Sequence, residues 1–242
     1  MWTIAEYQPT GLFSLRPHTA TTSGGKSLIV PTPFAIKMAL VDAAIRTQGL
    51  ERGRTLFPEI RDLRIAVRPP DRILVSKTFV RMLRIKEVGK EGKEAKNEAI
   101  ARAKLAHEWP YQKYIGFREY VQFVGPLALA FQGMPSEELT PLLVQVNYLG
   151  KRGGFIQLWR LPEPASSLPD GFTILTEGIR DSFPLGVLQV VDDCGPRLTF
   201  EQANVYNPDE QIKVGHGRIF HHVVLPYQVV RSSKSFSYYE RI

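Results

Sequence analysis

The chain has 242 residues, 43% of them hydrophobic, enough for one large domain or two small ones with a real core. No apolar run approaches the roughly 18–20 residues that span a bilayer, and Met1-Trp2-Thr3-Ile4-Ala5-Glu6 lacks the basic-then-apolar layout of a signal peptide, so the expected location is cytoplasmic, with no membrane partner. The formal net charge of +7 resides in one stretch, since residues 61–104 hold 13 Lys and Arg against 6 Asp and Glu while the remainder balances at 18 against 18. Such a surplus fits a polyanion-binding surface, and equally a solvated basic helix that binds nothing.

In chain order, Thr10 to Arg16 reads as a strand, followed by a polar loop from Pro17 to Ser27 and a short apolar Leu28-Ile29-Val30. A helix is predicted after Pro33, where Phe34, Ile36, Met38, Leu40, Val41, Ala44 and Ile45 recur at nearly helical spacing until Gly49. Leu63 to Arg68 reads as a strand closed by Pro69-Pro70, and Ile73 to Lys86 as a longer basic strand. The very polar residues 87–98 lead into a short helix with Ala95, Ala99 and Ala103 on one side, and Phe117 to Val124 returns beside the first basic strand. Together these segments make a projecting arm.

Thr140 and Pro141 suit the cap and first turn of a second helix ending at Gly150, although Leu142, Val144, Val146 and Tyr148 also fit a strand. Phe155 to Leu161 is a strand. The order strand, helix, strand, strand, helix, strand is that of the ferredoxin-like unit, so the predicted class is α+β. Residues 162–242 are expected to be mostly β.

Candidate chemistry is sparse. Ala20 to Ser27 fits a relaxed phosphate-loop pattern, with Val187 to Asp192 as a magnesium-binding strand, but the loop needs a helix directly after Lys26-Ser27, where Pro31 and Pro33 intervene. The lone Cys194 excludes an intrachain disulfide and reads as an inert thiol. His221 and His222 are adjacent in a strand and so point to opposite faces, which disfavours a shared metal. No metal, no cofactor and no catalytic residue is assigned.

Gly150-Lys151-Arg152-Gly153-Gly154 is different, because glycines allow close backbone approach while Lys and Arg supply phosphate contacts. In and around the arm, Phe79, Tyr111, Tyr114, Phe117 and Tyr120 are interleaved with Lys77, Arg81, Arg84, Lys113 and Arg118, as in surfaces that stack single-stranded bases and hold the backbone.

Phe13-x-Leu15-Arg16, Gly24-Gly25-Lys26, the Pro31-Thr32-Pro33 step into an Ala-rich helix, Phe117-Arg118-Glu119-Tyr120 and Tyr148-Leu149-Gly150-Lys151-Arg152-Gly153-Gly154 resemble, over roughly residues 10–160, the RAMP proteins of CRISPR systems. Within them the chain is most similar to the Cas-five group, the subunit at the 5′-handle end of a Cascade-type complex. The resemblance implies a ferredoxin-like (RRM-like) palm at residues 1–161, a thumb insertion at about 73–124, and a β-rich region at 162–242 packed on it. It implies RNA contacts from Arg16, Lys26, Lys77, Arg81, Arg84, Lys86, Arg118, Lys151, Arg152, Gly153 and Gly154. The implied partners are the guide RNA (crRNA), the backbone RAMP subunit and the large subunit, with target DNA contacted only indirectly. Some members of the group cut precursor RNA without a metal, using Tyr, Lys and His, but no residue here matches that subgroup's positions. The expectation is therefore a non-catalytic RNA-holding subunit, with a metal-independent endoribonuclease, a phosphate-loop NTPase and a protein adaptor as alternatives.

Overall fold

The computed structural model describes residues 1–18, 20, 25–85, 93–107, 111–151, 153–179, 184–204, 207, 209, 210 and 212–242. Its first strand is β1 (Trp2–Pro9), where Thr3, Ala5 and Tyr7 alternate onto a buried face. The strand predicted at Thr10 to Arg16 is corrected: that segment makes only isolated bridges, Phe13 to Val121 and Leu15 to Leu28. The reason is that its backbone bonds are divided among three partners, Thr10 with Phe155, Phe13 with Val121 and Leu15 with Leu28, so no continuous ladder forms.

Helix α1 (Pro33–Gln48) begins and ends as its caps dictate. Thr32 Oγ1 accepts from the Ala35 N–H at 3.2 Å, Pro33 occupies the first turn, and Gly49 closes the helix at φ 88°. Gly49 then opens α2 (Leu50–Asp62), which the sequence reading passed over; it buries Gly53, Leu56, Phe57 and Ile60 at helical spacing. β2 (Arg64–Arg68) follows, then β3 (Arg72–Ile85), α3 (Lys93–Leu105) and β4 (Tyr111–Phe123). β5 (Leu127–Gln132) returns to the first sheet and leads to α4 (Ser136–Gln145) and β6 (Ile156–Ala165).

The start predicted at Thr140-Pro141 is also corrected. α4 begins at Ser136, with Glu137 and Glu138 favouring its positive amino end, and it carries Pro141 inside. Beyond Gln145 the chain is extended, and Tyr148 bridges Phe155. The C-terminal part adds β7 (Thr173–Ile174), β8 (Val187–Cys194), α5 (Phe200–Ala203), β9 (Arg218–Leu225), β10 (Tyr227–Ser232) and β11 (Phe236–Arg241). The class is α+β.

The first sheet has the order β6-β1-β5-β2-β7, antiparallel throughout, with Ala5 opposite Leu129 and Ile65 opposite Phe131. Helices cover one face, where Tyr7, Leu40, Phe57, Phe131 and Leu142 share one core. The buried Tyr7 hydroxyl donates to the Leu143 carbonyl at 2.9 Å, and burial raises its pKa. On the other face Leu168, Phe172 and Ile174 cover Trp2, Ala66 and Ala130. Among the described residues no helix is long and apolar enough to cross a membrane.

The second sheet has the order β10-β11-β3-β4, and the two-stranded β8–β9 hairpin stands apart from both. β3 and β4 pair without a register shift from Ile73–Phe123 to Ile85–Tyr111. β11 braces β3 only from Arg72 to Ser76. On the opposite edge, β4 is braced at Val121 by Phe13 and at Glu119 by the Gly25 carbonyl. Beyond those points the hairpin stands free, a finger with no neighbouring strand among the described residues.

Candidate nucleic-acid interface

The unbroken register divides the finger's side chains between two faces. Lys77, Phe79, Arg81 and Leu83 of β3 share one face with Glu119, Phe117, Ile115 and Lys113 of β4, whereas Arg118 lies opposite Thr78 on the other. Beyond its buried root at Glu119 the first face is open: Phe79 is 74% exposed and Ile115 63%, and the Phe79 and Phe117 rings meet edge to face at 5.8 Å. Phe79 is thus an aromatic on display rather than a core residue.

Arg118 is half-buried along the finger, its Nη1 donating to the Phe117 carbonyl at 2.8 Å and its Nη2 approaching Met82 Sδ at 3.8 Å. Lys77 stands at the finger's root, with Nζ 3.5 Å from the Ser233 carbonyl. Arg81 is exposed, and the Arg84 backbone pairs with Gln112. Lys86 and Arg152 lie outside the described residues.

The loop preceding α1 is fastened to the finger's root. Gly25 approaches so closely that a Cβ would fall 1.7 Å from the Phe117 carbonyl oxygen, and buried Glu119 accepts from the Ser27 N–H at 3.0 Å. Gly25 therefore serves strand contact, while Lys26 remains exposed. Ser27 continues into Leu28, whose N–H donates to the Leu15 carbonyl, and a helix begins only at Pro33. The arrangement a phosphate loop requires is not formed, and Asp192 is instead held by the Arg218 guanidinium.

The turn at Leu149–Gly154 is closed by two backbone bonds, Leu149 N–H to Gly154 and Gly154 N–H to Lys151, both 3.0 Å. Gly150 and Gly153 take φ values of 74° and 112°, which favour glycine. The turn packs on the segment Gly11–Leu15, with Gly11 against Gly153 and Leu15 against Gly150. That same segment bridges β4 through Phe13, so the basic turn and the finger's root both rest on these five residues. Arg16, at its end, donates from Nε to the Ala20 carbonyl at 3.2 Å and lines a cavity together with Gly150 and Lys151.

Among the described residues Arg16, Lys26, Lys77, Arg81, Arg118 and Lys151 have no carboxylate partner, a condition they share with Lys113, Arg197, Lys213, Arg231 and Lys234, whereas Arg46, Arg54, Arg61, Arg64, Arg68 and Arg241 all have one. The sequence reading missed Arg218, which crosses from β9 to Asp192 and also lines the cavity; no local pattern announces a pair 26 residues apart. Cys194 is buried, and loss of solvation pushes its thiol up to about 12, so it is inert at neutral pH. Among the described residues no group of three His, Cys, Asp or Glu is placed to hold a metal.

No family model matches the chain. It is 26% identical over 200 residues to a CRISPR-associated protein Cas5 of Archaeoglobus fulgidus, an alignment covering 81% of this chain and 80% of that one. This chain is similar to a Cas5 protein over four fifths of its length. A crystal structure of a CRISPR protein from Archaeoglobus fulgidus superposes on 100% of this chain and 92% of its own, with a TM-score of 0.48 and 11% identity. The resemblance to the Cas-five group drawn from the motifs is borne out by the Cas5 alignment, which extends well beyond them.

Proposed function

We propose that this chain is the non-catalytic RNA-binding subunit of a Cascade-type surveillance complex in the cytoplasm, holding the 5′ handle of the crRNA between the finger and the basic turn. In this reading residues 1–161 are a ferredoxin-like palm with the finger inserted at about 73–124, and residues 162–242 are a β-rich region packed on it. The order β6-β1-β5-β2, with α1 and α2 after β1 and α4 after β5, supports the palm assignment. The backbone RAMP subunit and the large subunit are the protein partners, and target DNA is contacted through them.

The observation that carries the reading is the row of cations without carboxylate partners on the finger, the Lys26 loop and the Lys151 turn. Their charge is available to phosphates, and each phosphate neutralised releases counterions from the strand. Phe79, exposed between Lys77 and Arg81, offers a ring on which a base can stack.

The test is titration of labelled single-stranded RNA at several salt concentrations with Arg81→Ala and Lys151→Ala. Each variant is expected to weaken binding and to flatten the log–log salt slope by about 0.7–1 per lost phosphate contact. An unchanged slope in both variants would remove finger and turn from the interface. Incubation of the protein with precursor RNA in EDTA is expected to leave the RNA intact; discrete products would make it a metal-independent endoribonuclease instead.

A further inference from the structure

We infer that the cavity between Leu15, the first turns of α1, the Leu149–Gly154 turn and the β8–β9 hairpin receives one unstacked nucleobase of the bound strand and prefers a base carrying an exocyclic amino group. The inference rests on the RNA-holding reading above and assigns chemistry to one place along it.

Size comes first. The cavity has a volume of about 280 Å³, just below the roughly 300–1,000 Å³ of sites for drug-sized ligands, so it suits a single ring system and not a stack. Its apolar wall is formed by Leu15, Phe34, Met38 and Ala39. The Arg218 guanidinium lies 4.6 Å from the Phe34 ring centroid, giving the cavity the flat cationic and aromatic surfaces on which splayed bases rest.

Charge comes second. Arg16 and Lys151 line the cavity, are exposed to solvent, and have no carboxylate partner among the described residues, so they can hold the phosphates flanking an inserted base. Thr32, the N-cap of α1, lines the same space, and the helix's amino end adds partial positive charge.

Selectivity comes from Asp192. It is 7% exposed and lines the cavity. Its Oδ2 accepts from Arg218 Nε at 2.6 Å and from Nη2, while its Oδ1 has no hydrogen bond among the described residues. A carboxylate oxygen only accepts. The amino group of cytosine or adenine satisfies it, whereas the corresponding carbonyl of uracil sets acceptor against acceptor.

The experiment compares oligocytidylate with oligouridylate of equal length, since the two pyrimidines stack alike and differ at that exocyclic group. Fluorescence anisotropy with the full chain, stripped of nucleic acid, is expected to show the cytidine strand bound about tenfold more tightly, as one hydrogen bond to a buried charge allows. Met38→Trp, which fills the apolar wall, and Asp192→Asn, which replaces the pure acceptor, should each bring the ratio close to one. Equal binding of the two strands by the unaltered protein, or a ratio that survives in a Met38→Trp protein shown by its melting curve to be folded, overturns the inference and leaves the RNA-holding reading standing. Should Met38→Trp not fold, the ratio in Asp192→Asn decides in the same way. Failure of the unaltered chain to bind either strand overturns the RNA-holding reading itself.

Discussion

Lys37 shows how far a single side chain can depart from its apparent role. In the sequence it interrupts an apolar helix like any solvent-facing lysine, yet it is 2% exposed and its Nζ lies 2.6 Å from Asp193 Oδ1. Its partner is 156 positions away, which is why no window of sequence shows the pair. Asp193 also accepts from the Cys194 N–H at 2.7 Å, while His221 Nε2 stands 3.5 Å from its other oxygen without the alignment of a hydrogen bond. The pair fastens the β8–β9 hairpin to α1. Removing one member of such a pair leaves an uncompensated buried charge, so Lys37→Met is expected to cost about 3–5 kcal/mol in urea unfolding, and Lys37→Met with Asp193→Asn distinctly less. Equal losses in the single and double variants would show that packing, not charge, holds the hairpin.

At the scale of elements, what was legible was what local chemistry decides. Thr32, Pro33 and Gly49 mark α1 because capping and left-handed closure are properties of a few adjacent residues. β3 and the second half of β4 were legible through their β-branched and aromatic content, whereas Tyr111 to Gly116, the first half of β4, was not read as strand. β1 was not, since Thr3, Glu6 and Gln8 dilute its alternation and its burial is conferred by β5 and β6 on either side. Gly25 carries an element-scale consequence. A Cβ there would overlap the Phe117 carbonyl, a backbone atom with little freedom to retreat. Gly25→Ala is therefore expected to lower stability by about 2 kcal/mol or more, moving Tm down by roughly 4–8 °C. An unaltered Tm would mean that the loop lifts off the finger's root without cost.

Over the whole molecule, the linear charge count overstates the positive charge left unpaired by folding. Within residues 61–104, Arg61, Arg64, Arg68 and Arg102 are paired with Asp62, Glu177, Glu6 and Glu98, and two of those partners come from distant parts of the chain. Only folding shows which cations are left over. The finger stands clear of its bracing strands, so replacing residues 79–117 by an Asn-Gly turn between Thr78 and Arg118 should shift Tm by no more than roughly 4 °C while weakening single-stranded RNA binding by about tenfold or more. Undiminished affinity in that shortened protein would locate the RNA surface elsewhere.

The placement of β7 and β11 has one more consequence. β7 closes the outer side of β2, and β11 lies along β3, with Arg241 reaching Asp71 at 3.0 Å. A fragment cut near residue 161 would strip both strands of these companions and present raw, unsatisfied backbone to other copies of itself, inviting aggregation. Residues 162–242 thus supply the strands that cover the outer edges of β2 and β3.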